Sequence, residues 1–116
     1  MFPRLIIIIG IIVLNNPARA EGTVDQLLTY YSDPYMKSDV EKIAVSVANG
    51  SGWSNVELEA IHQTPLYCQP PNLALNGRQV MEILSRTRDE YKDKFGGLPF
   101  GMGIVEALMV TYPCRK

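Results

Sequence analysis

Three segments of the chain combine a polar capping pair with apolar residues at helical spacing. In such a pair, a serine or threonine is followed three positions later by glutamate or glutamine, and the two side chains bond free amides of the first helical turn. The pairs are Thr23 with Gln26, Ser38 with Glu41, and Ser54 with Glu57. They predict three helices, over residues 24–31, 39–48 and 55–63.

The second half of the chain predicts two more helices. Apolar side chains recur every three or four residues from Val80 to Phe95, between Asn76 as the N-cap residue and the helix-ending pair Gly96–Gly97. A last apolar stripe predicts a helix over residues 100–112. Three prolines between the third and fourth helices predict an irregular connector. The expected fold class is all-α, a small single-domain bundle of about five short helices.

The first 20 residues have the pattern of a secretory signal peptide. Arg4 provides a positive charge, the run from Leu5 to Leu14 is apolar apart from one glycine, and Ala18 and Ala20 form an A-x-A cleavage site. As a helix the apolar run would cover about 15 Å, about half of a bilayer core, which is too short for a transmembrane anchor. We therefore expect cleavage after Ala20 and a mature domain over residues 21–116.

Composition and charge narrow the possible functions of this domain. The whole chain of 116 residues is 47% apolar and has 11 basic and 12 acidic residues. Two of the basic residues, Arg4 and Arg19, belong to the signal peptide, so the mature domain has a formal net charge of −3. Without an excess of positive charge it lacks the footprint of a nucleic-acid-binding protein. After signal cleavage we expect no membrane contact either.

Export also determines how the two cysteines are interpreted. Cys68 and Cys114 are an even count without a close C-x-x-C spacing, and in an oxidising compartment such a pair typically forms a structural disulfide. The alternative is an intermolecular or reactive pair. In the chain-entropy model, closing a loop of about 47 residues stabilises the fold by about 4 kcal/mol. An intramolecular bond would also make the fourth and fifth helices antiparallel neighbours.

Residues suited to catalysis or metal binding are scarce. His62 is the only histidine, and its place near a predicted helix C-terminus indicates a solvated residue rather than a general base. No sequence motif places a serine beside a base. One histidine and two distant cysteines lack the ligand spacing of a zinc site. We expect no enzymatic activity, no cofactor and no metal.

Two glycine-containing segments between predicted helices are candidates for binding a partner. Ser51 and Trp53 lie in the polar turn between the second and third helices, where Trp53 either anchors a partner or packs on Leu58 as a hydrophobic staple. Leu98 and Phe100 lie between the fourth and fifth helices and either pack in the core or form an apolar tip. The predicted partner-binding residues are therefore Ser51, Trp53, Leu98 and Phe100.

Three short motifs in the second half of the chain suggest a family. Residues 67–70 read aromatic-Cys-x-Pro, Gln79 lies early in the following helix, and residues 107–114 read Ala-Leu-x-x-x-aromatic-Pro-Cys. With these motifs, the segment 66–114 resembles the Tai/Rap-like immunity proteins of type VI secretion systems.

This resemblance implies a fold, a partner and a location. It implies a periplasmic all-helical protein, often a homodimer, that binds a peptidoglycan-cleaving amidase effector and blocks its active-site cleft. It also implies that Cys68 and Cys114 are disulfide partners. The predicted function is therefore that of a periplasmic immunity protein. The alternatives are a small periplasmic acid-stress chaperone, whose carboxylates would be protonated in acid, and a small hydrolase that depends on His62.

Overall fold

The computed structural model of the protein describes residues 22–115, so the predicted signal peptide and its cleavage residues Ala18 and Ala20 lie outside the described part. Within that part, the chain forms four α-helices and one 3₁₀ turn. In chain order these are α1 (Val24–Tyr31), α2 (Lys37–Ala60), α3 (Gly77–Glu90), the 3₁₀ turn (Phe95–Gly97) and α4 (Phe100–Thr111). The all-α prediction is confirmed, with four helices in place of about five.

Two helices begin at capping boxes. Before α1, Thr23 Oγ1 accepts from the Gln26 amide at 3.2 Å, and the Thr23 amide donates to Gln26 Oε1 at 2.9 Å. Before α3, Asn76 and Gln79 exchange the corresponding two bonds at 2.8 and 2.9 Å. Both helices therefore start where the sequence predicts, because each start depends only on side chains within one turn.

The helix α2 begins earlier than predicted. Its first residue is Lys37, and the capping box predicted from Ser38 and Glu41 is wrong. The carbonyl of Asp33 accepts bonds from the amides of Met36 and Lys37, both at 3.0 Å. Because the chain already turns there, Ser38 lies inside the helix and cannot cap its N-terminus.

The predicted second and third helices are one continuous helix, and the predicted turn between them is wrong. Ser54 is an interior helical residue whose Oγ donates to the Gly50 carbonyl at 3.2 Å, so it does not cap a new helix with Glu57. The buried side chains of α2 continue across this stretch at spacings of four and three: Ala44, Ala48 and Ser51. Packing of that face holds the helix together despite two interior glycines, whose helix propensity is low.

The helix α3 ends at Glu90 rather than at Phe95. The Arg88 side chain donates to the Lys92 carbonyl at 3.2 Å, so it bonds the backbone of the turn just beyond the last helical residue. After this turn Phe95 enters the 3₁₀ turn and is buried, whereas Tyr91 is exposed. If α3 continued straight, Tyr91 and Phe95 would lie on the same helical face. In the structure only Phe95 reaches the core.

The core lies between α2, α3 and α4, which all contact one another, and α1 packs against each of them. Its largest fully buried side chains come from all four helices: Met81, Leu84, Ile104, Leu108, Val24, Val40 and Val80. The stripes predicted for α3 and α4 supply most of this set. The helical periodicity therefore identified the core faces of α3 and α4 correctly.

A disulfide between Cys68 and Cys114 closes the structure, as predicted. Their Cα atoms are 4.9 Å apart, and the Cys68 amide donates to the Tyr112 carbonyl at 2.8 Å. The bond ties the proline-containing connector to the chain just beyond α4. The connector consequently lies against the helices instead of extending from them.

Candidate partner-binding surface

Ser51 is buried and holds the middle of α2 against the connector. Its hydroxyl donates to the Ala48 carbonyl at 3.0 Å and lies 2.7 Å from the hydroxyl of Tyr67, which is itself only 3% exposed. The Tyr67 hydroxyl also lies 3.5 Å from the Ala48 carbonyl, so the two hydroxyls and this carbonyl form one hydrogen-bonded cluster. Ser51 was predicted in an exposed turn, and that placement is wrong because Tyr67 covers it.

Asn55 makes the second link between α2 and the connector. Its Oδ1 accepts from the Leu66 amide at 2.8 Å, and its Nδ2 donates to the Tyr67 carbonyl at 3.1 Å. Both ends of one amide thus bond the backbone next to the disulfide. We call Ser51, Asn55 and Tyr67 the clasp, since together they fix the second half of α2 to the disulfide-bonded connector.

Trp53 lies on the outer face of the helix that the clasp holds. It is 71% exposed, and it lines a shallow concavity of about 460 Å³ together with Ser54, Glu57, Leu58 and Ile61. Trp53 is an interior helical residue, so it does not occupy the position before an N-cap that a hydrophobic staple requires. We call these five residues the Trp53 surface.

Leu98 and Phe100 do not form a projecting tip. Both side chains are partly buried and pack against the core. The Phe100 amide donates to the Gly22 carbonyl and the Val24 amide donates to the Leu98 carbonyl, both at 2.9 Å. Two backbone bonds therefore tie this segment to the start of the described chain, and the apolar-tip interpretation is wrong.

An ion pair between α1 and α3 lies next to the 3₁₀ turn that precedes Leu98 and Phe100. Arg88 Nε lies 2.6 Å from Asp25 Oδ1, linking α3 to α1 across 63 positions of sequence. The hydrogen bond with Asp25 raises the pKa of the Arg88 guanidinium above its ordinary value. Gly96 lies beneath this pair, where a Cβ atom would be 2.3 Å from Asp25 Oδ2. The region where α4 and the 3₁₀ turn meet α1 is therefore closely packed, and we call it the joint.

His62 lies just beyond the C-terminus of α2 and is exposed. Its φ of 61° places it in the left-handed region. The Gln63 amide donates to the Leu58 carbonyl and the His62 amide to the Glu59 carbonyl, which is the Schellman arrangement that usually has glycine at this position. No three His, Cys, Asp or Glu side chains are grouped to hold a metal among residues 22–115.

Comparisons of the chain with protein-family models, with curated protein sequences and with solved structures found no match. Between Gly22 and Arg115, no helix has the length and apolar character needed to cross a membrane. The functional interpretation therefore depends on the residues themselves.

Of the four predicted partner-binding residues, the structure leaves only Trp53 prominently exposed. Sequence reasoning missed Glu57 and Ile61 as its neighbours, because it placed Trp53 in a turn before the helix that contains Glu57. Glu57 is four residues from Trp53, and Ile61 is four residues from Glu57. This spacing would have indicated a common helical face, had the glycines not been interpreted as a turn. The clasp was missed because Tyr67 comes from a distant, irregular segment.

Proposed function

We propose that the chain is an exported immunity protein that binds a peptidoglycan amidase effector of a type VI secretion system and sterically blocks its cleft. The motifs around Cys68 and Cys114 support this proposal, and so does the disulfide that joins them. Disulfides persist in oxidising compartments, which supports a periplasmic location reached through the signal peptide. Homodimer formation is part of the resemblance and remains a prediction.

The observation that carries the proposal is the Trp53 surface. A tryptophan that is 71% exposed leaves a large apolar area in water, and Ile61 nearby is 63% exposed. Tryptophan is strongly enriched among the residues that dominate binding energy at protein interfaces. Blocking a cleft requires shape and apolar anchors rather than reactive groups, and a rigid helix can present both.

The proposal places the contact on α2 rather than on residues 96–101. Leu98 and Phe100 would have to leave the core and break two backbone bonds to enter a cleft. Trp53 needs no such rearrangement. Binding through α2 therefore has the lower reorganisation cost.

The test is inhibition of purified type VI secretion amidases by the mature chain, residues 21–116, assayed on peptidoglycan. We expect stoichiometric inhibition of a cognate amidase. Trp53→Ala should weaken binding about 30-fold, which corresponds to about 2 kcal/mol for a central interface tryptophan. Tyr91→Ala is the matched control, because Tyr91 is an exposed aromatic residue outside the Trp53 surface.

Failure to bind any such amidase would contradict the proposal. Protection of an unfolded client from aggregation at low pH, without amidase binding, would support the acid-stress chaperone instead. Turnover of a substrate that disappears in His62→Ala would support the hydrolase.

A further inference from the structure

The Trp53 surface lies in a long part of the chain that contains no lysine or arginine. From Ile43 to Gly77 there is no lysine or arginine, while Glu57 and Glu59 are both present and exposed. The carboxylates therefore make this surface attractive to cationic groups. A partner with complementary charge would present basic side chains to it.

Within the surface, one carboxylate lies between apolar side chains. Trp53, Glu57 and Ile61 follow one another at intervals of four residues, the first two within α2 and Ile61 at its C-cap. They line the same concavity, with Leu58 beside them. Among residues 22–115, Glu57 forms no ion pair. The acidic residues that do form ion pairs there are Glu82, with Arg78, and Asp25, with Arg88. Its charge is thus available to a ligand.

We propose that this concavity binds an arginine side chain of the partner, with the guanidinium stacked on the Trp53 ring and paired with the Glu57 carboxylate. The identity of the partner as an amidase rests on the proposed function, but the chemistry of the concavity is a separate claim. Leu58 and Ile61 cover the methylene groups of the arginine. A carboxylate, an aromatic face and an apolar floor match the three parts of that side chain.

A purely apolar occupant would fit this concavity poorly. It would cover Glu57 without neutralising it, and burial of an unpaired carboxylate is strongly unfavourable. Arginine also fits better than lysine, since its planar, weakly hydrated guanidinium can stack on an indole and bond both carboxylate oxygens.

The test titrates the mature chain into a fluorescein-labelled peptide of alternating leucine and arginine and follows anisotropy at low salt. We expect saturable binding that Glu57→Gln weakens about fivefold. Glu59→Gln should leave the affinity within about twofold, because Glu59 has the same charge on the same helix but does not line the concavity. Trp53→Leu should weaken binding at least as much as Glu57→Gln, and circular dichroism checks that each variant retains its helical content.

Peptides with lysine or glutamate in place of arginine complete the comparison. Weaker binding of the lysine peptide and no binding of the glutamate peptide support the proposal. Equal losses from Glu57→Gln and Glu59→Gln, or unchanged affinity in Glu57→Gln, would overturn it. If an amidase is inhibited while these peptide results are negative, the proposed function stands and the arginine site is wrong. Positive peptide results without any amidase binding give the reverse conclusion.

Discussion

The middle of α2 and the joint where α4 and the 3₁₀ turn meet α1 both contain glycines, but the surroundings differ. A Cβ atom built on Gly50 or Gly52 of α2 meets nothing within 4 Å. On Gly103 of α4, the same atom would lie 2.2 Å from Val24 Cγ2, and on Gly96 it would contact the Asp25–Arg88 pair. Close packing requires glycine at positions 96 and 103 of the joint, whereas it does not require glycine at positions 50 and 52 of α2.

This difference shows that the two regions are stabilised by different means. At the joint, missing side chains let helices approach closely, so the contacts depend on glycine. In α2, the glycines lower helix propensity and gain no contact in return. The second half of α2 therefore depends on the clasp, which fastens it to the disulfide-bonded connector.

The strongest way to break the joint is Gly103→Ala. We expect it to lower the free energy of unfolding by about 2–3 kcal/mol, because the added methyl group overlaps a fully buried, β-branched side chain that cannot move easily. Urea denaturation measures the loss. Gly97→Ala should change stability little, since its added atom meets nothing within 4 Å. A similar loss from both variants would refute the close-packing explanation.

The clasp is tested by Asn55→Ala. Loss of its two bonds to the backbone of Leu66 and Tyr67 should lower the free energy of unfolding by about 1–2 kcal/mol. Native-state hydrogen exchange should also increase in residues 53–60 more than in the first half of α2. Asn49→Ala is the control on an exposed position of the same helix. Uniform exchange along α2 would show that the clasp does not hold its second half separately.

The α2 glycines are tested by Gly50→Ala and Gly52→Ala. Each should raise the free energy of unfolding by about 1 kcal/mol, through better helix propensity and a less flexible unfolded chain. Thermal denaturation provides the measurement, and the double variant should be nearly additive if the sites are independent. Destabilisation by either change would mean that the chain is not helical through these positions.

The smallest expected effect concerns the end of α2. His62→Gly should stabilise the protein by about 0.5–1 kcal/mol, because glycine adopts a φ near 61° without the steric cost of a Cβ atom. Denaturant unfolding compares it with His62→Asn, which tolerates the left-handed region less well than glycine but better than alanine. Greater stability of His62→Asn than of His62→Gly would contradict this account.

How much the sequence predicted varies with the range of the interactions. The starts of α1 and α3 were predictable, because their N-cap residues, Thr23 and Asn76, form hydrogen bonds with backbone amides of the first helical turn. The false break in α2 arose from the same local reasoning. Glycine and serine favour turns in isolation, but burial of Ser51 beneath Tyr67 outweighs that preference.

The candidate site divides in the same way. Trp53 was identifiable as the only tryptophan in the chain, yet its neighbours could be assigned only after α2 proved continuous. The apolar side chains of Leu98 and Phe100 are suited either to an exposed apolar tip or to the core. Their bonds to Gly22 and Val24 decide between those options, and no nearby residue indicates such a pairing.

The sequence alone determined the helical class, the core faces of α3 and α4 and the pair of cysteines available to join, because periodicity, capping and composition act within a few residues or by elimination. Only the tertiary structure decided where α2 continues, where α3 ends and which aromatic side chains remain outside. Those outcomes depend on contacts between segments far apart in the chain, such as Ser51 with Tyr67 and Asp25 with Arg88, which local sequence patterns do not specify.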